Sequence, residues 1–373
     1  MKKSAIFLFF LLFCGGMLSA QIPDGYYNAA IGKSGAALRA ALHSIITTNY
    51  HPISYNGLWS AFEETDAKSN EIVWDIYSDV PGGTPSYEFT FNVDKCGNYS
   101  GEGDCYNREH SIPNSWFGGV ESSPMYSDLF HLYPTDGWVN NKRGNLPYGE
   151  VGSANWISTN GSKTGSCTVS GYSNTVFEPI DAYKGDLARS YFYMTVRYSD
   201  QNLGQTSESM FQGANLKAWA QPMFVNWHVN DPVSDKEINR NNVIYNNFQN
   251  NRNPFIDCPE LVDFLFGERV GEAWYPSCLD WDSTAIEEYH LADYQQSMIY
   301  PNPASNQIEV KSNYLPIQKI EIYDVAGKRI QSIGNIEGKL FYIDVNSYKS
   351  GCYFIKIITR DTTETIKFIK KNE

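Results

Sequence analysis

Apolar and polar positions along this chain change period several times, and each change marks an element. In SGAALRAALHSIITTN at 34–49, Leu38, Leu42, Ile45 and Ile46 recur at helical intervals. That spacing predicts an amphipathic helix with Ser34 as its cap. A second short helix is expected over 57–64 (GLWSAFEE). The period then drops to two: IVWDIYSD at 72–79 and YEFTFNVD at 87–94 alternate as strands do. Residues 150–176, rich in Gly, Ser, Thr and Asn, carry neither period and read as a long exposed loop. Helical spacing returns at 183–198, where Leu187, Tyr191, Met194 and Tyr198 line up, and over 232–250, with Pro232 near the start. Pro254 ends that region, and CPELVDFLFG at 258–267 supplies a last short helix.

From about residue 295 the pattern becomes purely alternating. Runs at 307–312, 318–324, 328–333, 339–344, 351–358 and 363–370 are separated by turn residues, which predicts a small all-β sandwich. It holds no clustered His or acidic residues. At the other end, Lys2 and Lys3, an apolar run from Ala5 to Phe13 and the small-residue close Leu18-Ser19-Ala20 predict a signal peptide cleaved after Ala20. The apolar run falls short of the roughly 20 residues a membrane span needs. At 373 residues the chain suits a leader plus two folded units. The expected division is 1–20 signal peptide, 21–295 α+β and mostly helical body, and 296–373 all-β tail.

Export changes how the cysteines are read. Besides Cys14 in the leader, the chain holds Cys96, Cys105, Cys167, Cys258, Cys278 and Cys352. An even number outside the leader permits disulfides, and Cys96–Cys105 and Cys258–Cys278 are the local pairs, with other pairings left open. No CxxC occurs, so thiolate zinc binding is not indicated. The net charge is −13, and the leader's two lysines and the tail's 11 basic against 8 acidic residues leave residues 21–298 at −18. Such a body argues against a long electrostatic tract on nucleic acid. A local basic rim of Arg108, Lys142, Arg143, Lys184, Arg189 and Arg197 is still available, and a bound divalent cation would add positive charge.

The candidate chemistry lies in residues 105–145. Arg108-Glu109-His110 stands just before Pro113; Asp128, His131 and Asp136 follow, then Asn140-Asn141-Lys142-Arg143-Gly144-Asn145. Hydrolysis of a phosphodiester needs a deprotonated water, positive charge on the transition state and stabilisation of the leaving 3′-oxygen. A neutral imidazole at His110 suits the first task. Oxygens from Glu109 and Asn140 suit a hard cation such as Mg2+. Neighbours on a strand face opposite ways, so Glu109 and His110 can share a site only at a strand end, and Pro113 fits that requirement. Asn140, after the Asp136-Gly137 cap and turn, is expected in the first turns of a short helix.

Blander roles compete. His110 could satisfy backbone groups, Glu109 could pair with Arg108, and Asn140 competes with Asn141, Asn145 and the capping use of Asn. Asp128 and His131 are expected to fix the second strand, Asp186 and Arg189 to pair on their helix, Glu178 to be a loop or supporting carboxylate, and His228 to be structural.

Four stretches in order, NREHSIPNSWFG at 107–118, SDLFHLYPTDGWVNNKRGNLPYG at 127–149, FEPIDAYKGDLARSYFYMTVRY at 177–198 and DPVSDKEINRNNVIYNNFQNNRNPFID at 231–257, resemble the bacterial endonuclease I family of ββα-metal, or His-Me finger, nucleases. The resemblance implies a ββα-metal core, His110 as general base and Glu109 and Asn140 as ligands of Mg2+, with Ca2+ or Mn2+ as alternatives. It implies cleavage of DNA, with RNA as a further substrate, by a monomer with little sequence preference. The insertion that carries a phosphate-stabilising Arg in some relatives is shortened here, so Arg143 and Arg189 are expected to substitute. The tail's YPNPASN, IEIYDVAGKRI and SGCYFIKIITRDTTETIKFIKK resemble the C-terminal sorting domain of Bacteroidetes type IX secretion cargo. That implies contact with the type IX machinery and a secreted or surface-bound product. The competing class is a surface adhesion protein that kept a nuclease scaffold without activity; retention of His, Glu and Asn together favours the enzyme. No HExxH is present to suggest a zinc hydrolase.

Overall fold

The structure, a computed structural model, describes residues 22–68, 71–278, 297–312, 316–325, 327–336, 338–359 and 363–371. The expected signal peptide lies outside the described residues. The chain divides into two units, Met1–Asp280 and Trp281–Glu373; the junction expected at 295/296 also falls outside the described residues.

The first unit opens with α1 (Gly35–Thr47), which buries Leu38, Leu42 and Ile46 as their spacing predicts, although Ser34 makes no side-chain cap bond. α2 (Leu58–Thr65) follows. The strands expected over 72–79 and 87–94 are reduced to single bridges, Ala67 to Val73 and Ile72 to Thr90. Side chains bend the backbone there: Asp75 accepts from the Tyr77 N–H and Asp94 from the Thr90 N–H. Local bonds of this kind compete with a strand ladder.

β1 (Tyr106–His110) and β2 (Leu132–Asp136) form a two-stranded antiparallel sheet in which Glu109 faces Tyr133 and His110 faces Leu132. α3 (Gly137–Arg143) starts at once, because the Asp136 carboxylate accepts from the Val139 N–H at 2.7 Å and caps it. Only glycine fits at 137, where a Cβ would stand 2.6 Å from the Tyr99 ring.

Where composition predicts a loop, β3 (Val151–Ile157), β4 (Lys163–Cys167) and β5 (Thr175–Glu178) make a three-stranded antiparallel sheet. β3 is mostly exposed and its register shifts twice, so it has no apolar alternation to read. α4 (Lys184–Arg197) is the helix that the spacing at 183–198 predicts, and all its residues are buried. Most of its charges are neutralised inside, Lys184 by Glu150 and Glu178, Arg189 by Glu237, and Asp186 by Lys236, while Arg197 packs on Tyr50 and Tyr198. It is the axis on which α1 packs, as do the later helices α5 (Ala220–Asn230) and α7 (Pro254–Asp257).

Between α4 and α5 lies a small hairpin, β6 (Phe211–Gln212) and β7 (Asn215–Leu216). The helix expected over 232–250 begins later, as α6 (Asp235–Val243) in a Ser234/Glu237 capping box, and continues as a π-helical turn over Ile244–Gln249. α8 (Leu261–Leu265) closes the unit. Both expected disulfides are present, Cys96–Cys105 and Cys258–Cys278.

The second unit is all β. β8 (Met298–Tyr300), β9 (Gln307–Lys311), β10 (Lys319–Asp324), β11 (Arg329–Gly334), β12 (Leu340–Asp344), β13 (Gly351–Ile358) and β14 (Thr363–Lys370) form two antiparallel sheets, ordered β11-β10-β13-β14 and β12-β9-β8. Ile308, Val310 and Ile343 of one sheet and Ile320, Ile322, Ile355 and Phe368 of the other share one core. All six predicted strands occur, and β8 is an addition. No helix among the described residues is long and apolar enough to cross a membrane.

Candidate active site

β1 ends at His110, and its last two residues are both buried, Glu109 at 2% and His110 at 7% exposure. A clamp from α3 holds this strand end. Arg143 donates from Nη1 to the Glu109 carboxylate at 2.9 Å and to the His110 carbonyl at 2.6 Å, and from Nη2 to the Ser111 carbonyl. Tyr77 donates its hydroxyl to the same carboxylate oxygen, Oε1, at 2.9 Å. Oε2 therefore carries no hydrogen bond among the described residues. Burial pushes the Glu109 carboxyl up to about 7, outweighing the pull of Arg143 in the opposite direction.

The His110 ring is held by Nε2, which lies 2.9 Å from the Tyr126 carbonyl. A carbonyl only accepts, so Nε2 carries the hydrogen and Nδ1 keeps the lone pair. Tyr126 meets the ring edge-on at 4.8 Å between centroids, and Tyr55 stacks at 5.7 Å. Burial, reinforced by His131, pushes this imidazole down to about 3, so it is neutral at neutral pH. His131 is held the same way by the preceding carbonyl: its Nε2 lies 2.6 Å from Met125 O. It is fully buried, and burial lowers it to about 4. Asp128 accepts from Tyr193, Tyr198 and the Phe130 N–H. These two residues fix the strand entry.

Asn140, one helical turn before Arg143, donates its amide to Asn107 Oδ1 at 2.7 Å. That bond orients the carboxamide and leaves Asn140 Oδ1 unpaired among the described residues. Glu109 Oε2 and Asn140 Oδ1 are thus two hard oxygens, one from β1 and one from α3, with no donor to either among the described residues. Such a pair suits a cation that keeps most of its waters, as Mg2+ does.

The basic rim disperses. Arg189 is fully buried and spends its guanidinium on Glu237 (Nη2 to Oε2, 2.8 Å) and the Asp231 carbonyl (2.8 Å), with Asp186 farther off at 3.4 Å. The expectation that it meets a substrate phosphate finds no geometric support, because this acid-lined enclosure holds it away from solvent. Arg143 is equally enclosed, at 1% exposure, although it does touch the site. Lys184 is tied to Glu150, Glu178 and Asp181, and Arg197 is buried against Tyr50 and Tyr198.

Several groups at the site escaped the sequence reading. Asn107 had a signal, since it stands two residues before Glu109 on the same face of the strand. Tyr77 lay in a stretch read as a strand. The Tyr126 carbonyl had no signal, because any residue supplies one.

Residues 34–260 match the family model for Endonuclease I, and residues 298–371 match a secretion system C-terminal sorting domain. The chain is 33% identical over 267 residues to an extracellular ribonuclease of Bacillus subtilis (strain 168), covering 68% of this chain and 84% of that protein. It is 34% identical over 249 residues to an extracellular ribonuclease of Bacillus amyloliquefaciens, covering 65% and 78%. Endonuclease-1 of Buchnera aphidicola subsp. Baizongia pistaciae is 29% identical over 131 residues, covering 35% and 46%.

Proposed function

Because the chain belongs to the endonuclease I family, we propose that the end of β1 is the catalytic centre of a divalent-metal-dependent endonuclease with His110 as general base. The protein is a nuclease, and its sorting domain marks it as type IX secretion cargo that works outside the cell or on its surface. The observation that carries the proposal is the His110 ring, neutral, with Nε2 bound to Tyr126 O and Nδ1 left as acceptor at the end of β1.

His110 Nδ1 takes the proton from an attacking water, and the Tyr126 carbonyl stabilises the charge gained by holding the opposite N–H. Glu109 Oε2 and Asn140 Oδ1 are the protein ligands of the cation, Mg2+ in the first instance, with Ca2+ or Mn2+ as substitutes. When bound, that ion supplies positive charge to the phosphate and to the leaving 3′-oxygen. Arg143 keeps the Glu109 carboxylate and the strand-end carbonyls in place, and Asn107 keeps the Asn140 oxygen turned outward. The order β1, β2, α3, with Tyr77 on the Glu109 carboxylate, supports reading the site as a ββα-metal arrangement.

The substrates are DNA and RNA cut without strong sequence preference; relatives named as ribonucleases and as an endonuclease support taking both. The test is incubation of the full chain with supercoiled plasmid and with RNA in Mg2+, then with EDTA. Cleavage of both polymers that stops on chelation is expected. Cleavage undiminished by EDTA would refute the metal.

A further inference from the structure

With Arg143 and Arg189 enclosed, neither arginine expected to meet the phosphate is free to do so, and the outer face of β1 supplies a cation that is. Arg108 and His110 are two residues apart and share a strand face, a step of about 6.6 Å, comparable to the spacing of successive phosphates along a nucleic-acid strand. The Arg108 guanidinium lies 3.5 Å from the Tyr55 ring centre and 4.5 Å from that of Trp59, and its Nη1 donates to the Tyr55 carbonyl at 2.6 Å. Tyr55 is the same ring that stacks on His110. Lys95, exposed, stands 5.5 Å from the Trp59 ring. Neither Arg108 nor Lys95 has a carboxylate ion-pair partner among the described residues, whereas Glu109 is paired with Arg143.

Two aromatic rings and one carbonyl thus hold a guanidinium in a fixed pose, half-buried, without neutralising it. Buried Arg189, Arg240 and Arg252 are each matched with an acid. Arg108, like the aromatic-packed Arg197, has no ion pair among the described residues, but unlike the buried Arg197 it is partly exposed, next to the ring that stacks on His110. A planar fork of donors, held against aromatic faces, is suited to a phosphate diester.

We propose that Arg108, with Lys95 beyond it, is the phosphate-binding subsite that seats the substrate strand next to the bond facing His110. This rests on the catalytic assignment above. Arg108 binds the phosphate adjoining the scissile one, so it acts on substrate affinity more than on the chemical step. Because the row is short and the rest of the body acidic, it grips a short tract of one strand rather than a long duplex footprint.

The test uses the full chain and a short single-stranded DNA oligonucleotide. Arg108→Gln is compared with wild type for KM, kcat and the salt dependence of kcat/KM. KM should rise about tenfold with kcat within about threefold, and the salt slope should fall by roughly 0.7, the share of one phosphate contact on a single strand. Arg108→Lys should recover part of the KM. Should Arg108→Gln fail to fold, Lys95→Gln, on an exposed side chain, reads the same row, with a smaller rise in KM and the same loss of slope. An unchanged KM and slope in folded Arg108→Gln, or in Lys95→Gln where the first does not fold, overturns the subsite. A wild type that cleaves nothing overturns the catalytic assignment instead.

Discussion

Replacing Arg143 by methionine separates two roles that a site arginine can have. Its guanidinium is 1% exposed and donates to the Glu109 carboxylate and to the carbonyls of His110 and Ser111. Methionine fills much of the volume but leaves the carboxylate without its cation and two strand-end carbonyls without donors. Breaking a buried ion pair costs about 3–5 kcal/mol, and each orphaned carbonyl about 1–3 kcal/mol. The Glu109 carboxyl, already raised by burial to about 7, takes up a proton and limits the first cost. A net loss of about 4 kcal/mol is therefore expected, a fall in Tm of roughly 8–16 °C for a unit of this size. Thermal unfolding of the full chain, followed by tryptophan fluorescence, measures it. Below the new Tm, cleavage should fall because Glu109 is no longer held. Arg143→Lys, which keeps the charge but not the fork, should lie between. If Arg143→Met melts as the wild type does while kcat collapses, the guanidinium serves the phosphate and the clamp argument is wrong.

Two further outcomes follow from other contacts. Asn107→Ala frees the Asn140 carboxamide to rotate, so the Mg2+ concentration giving half-maximal cleavage should rise about tenfold with little change in the plateau rate; an unchanged Mg2+ requirement would show that the Asn107 bond does not orient a ligand. His131 has a folded pKa of about 4, below the ordinary histidine value, because burial opposes its charge. The unfolded chain therefore binds this proton first, so the contribution of His131 to stability is whole above about pH 6.5 and lost as pH falls toward 4, by roughly 3 kcal/mol. Urea unfolding at pH 7 and pH 4 should show a smaller acid loss in His131→Gln than in wild type, and equal losses would remove His131 from the account.

Where the sequence was legible, one rule dominated the local structure. In the sorting domain, period-two alternation between turns is enough to mark the half-buried strands, and each expected run became one, with β8 added. α1 and α2 obey the helical period for the same reason. The rule failed where polar groups set the backbone. Asp75 and Asp94 bend the segments that alternate at 72–79 and 87–94, and β3 is held by its ladder with little burial to leave a pattern. α5 buries Met223, Phe224 and Trp227 at helical spacing, a signal that Pro222 in its first turn and the polar Asn226, His228 and Asn230 obscured. At the site, the sequence places Glu109 and His110 at a strand end and Asn140 in a following short helix, and β1 and α3 hold them there. Which arginine faces outward was not visible: that depends on Glu237 and Asp231, more than forty residues beyond Arg189, closing over it.

The central claim is tested most directly at His110. Supercoiled plasmid is incubated in Mg2+ with purified wild type and with His110→Ala, alongside thermal unfolding of both. The account predicts that the variant folds and loses cleavage by about 10²–10⁴-fold, the worth of a positioned base. A folded His110→Ala that nicks plasmid at the wild-type rate would contradict it, and the proton would have to go elsewhere.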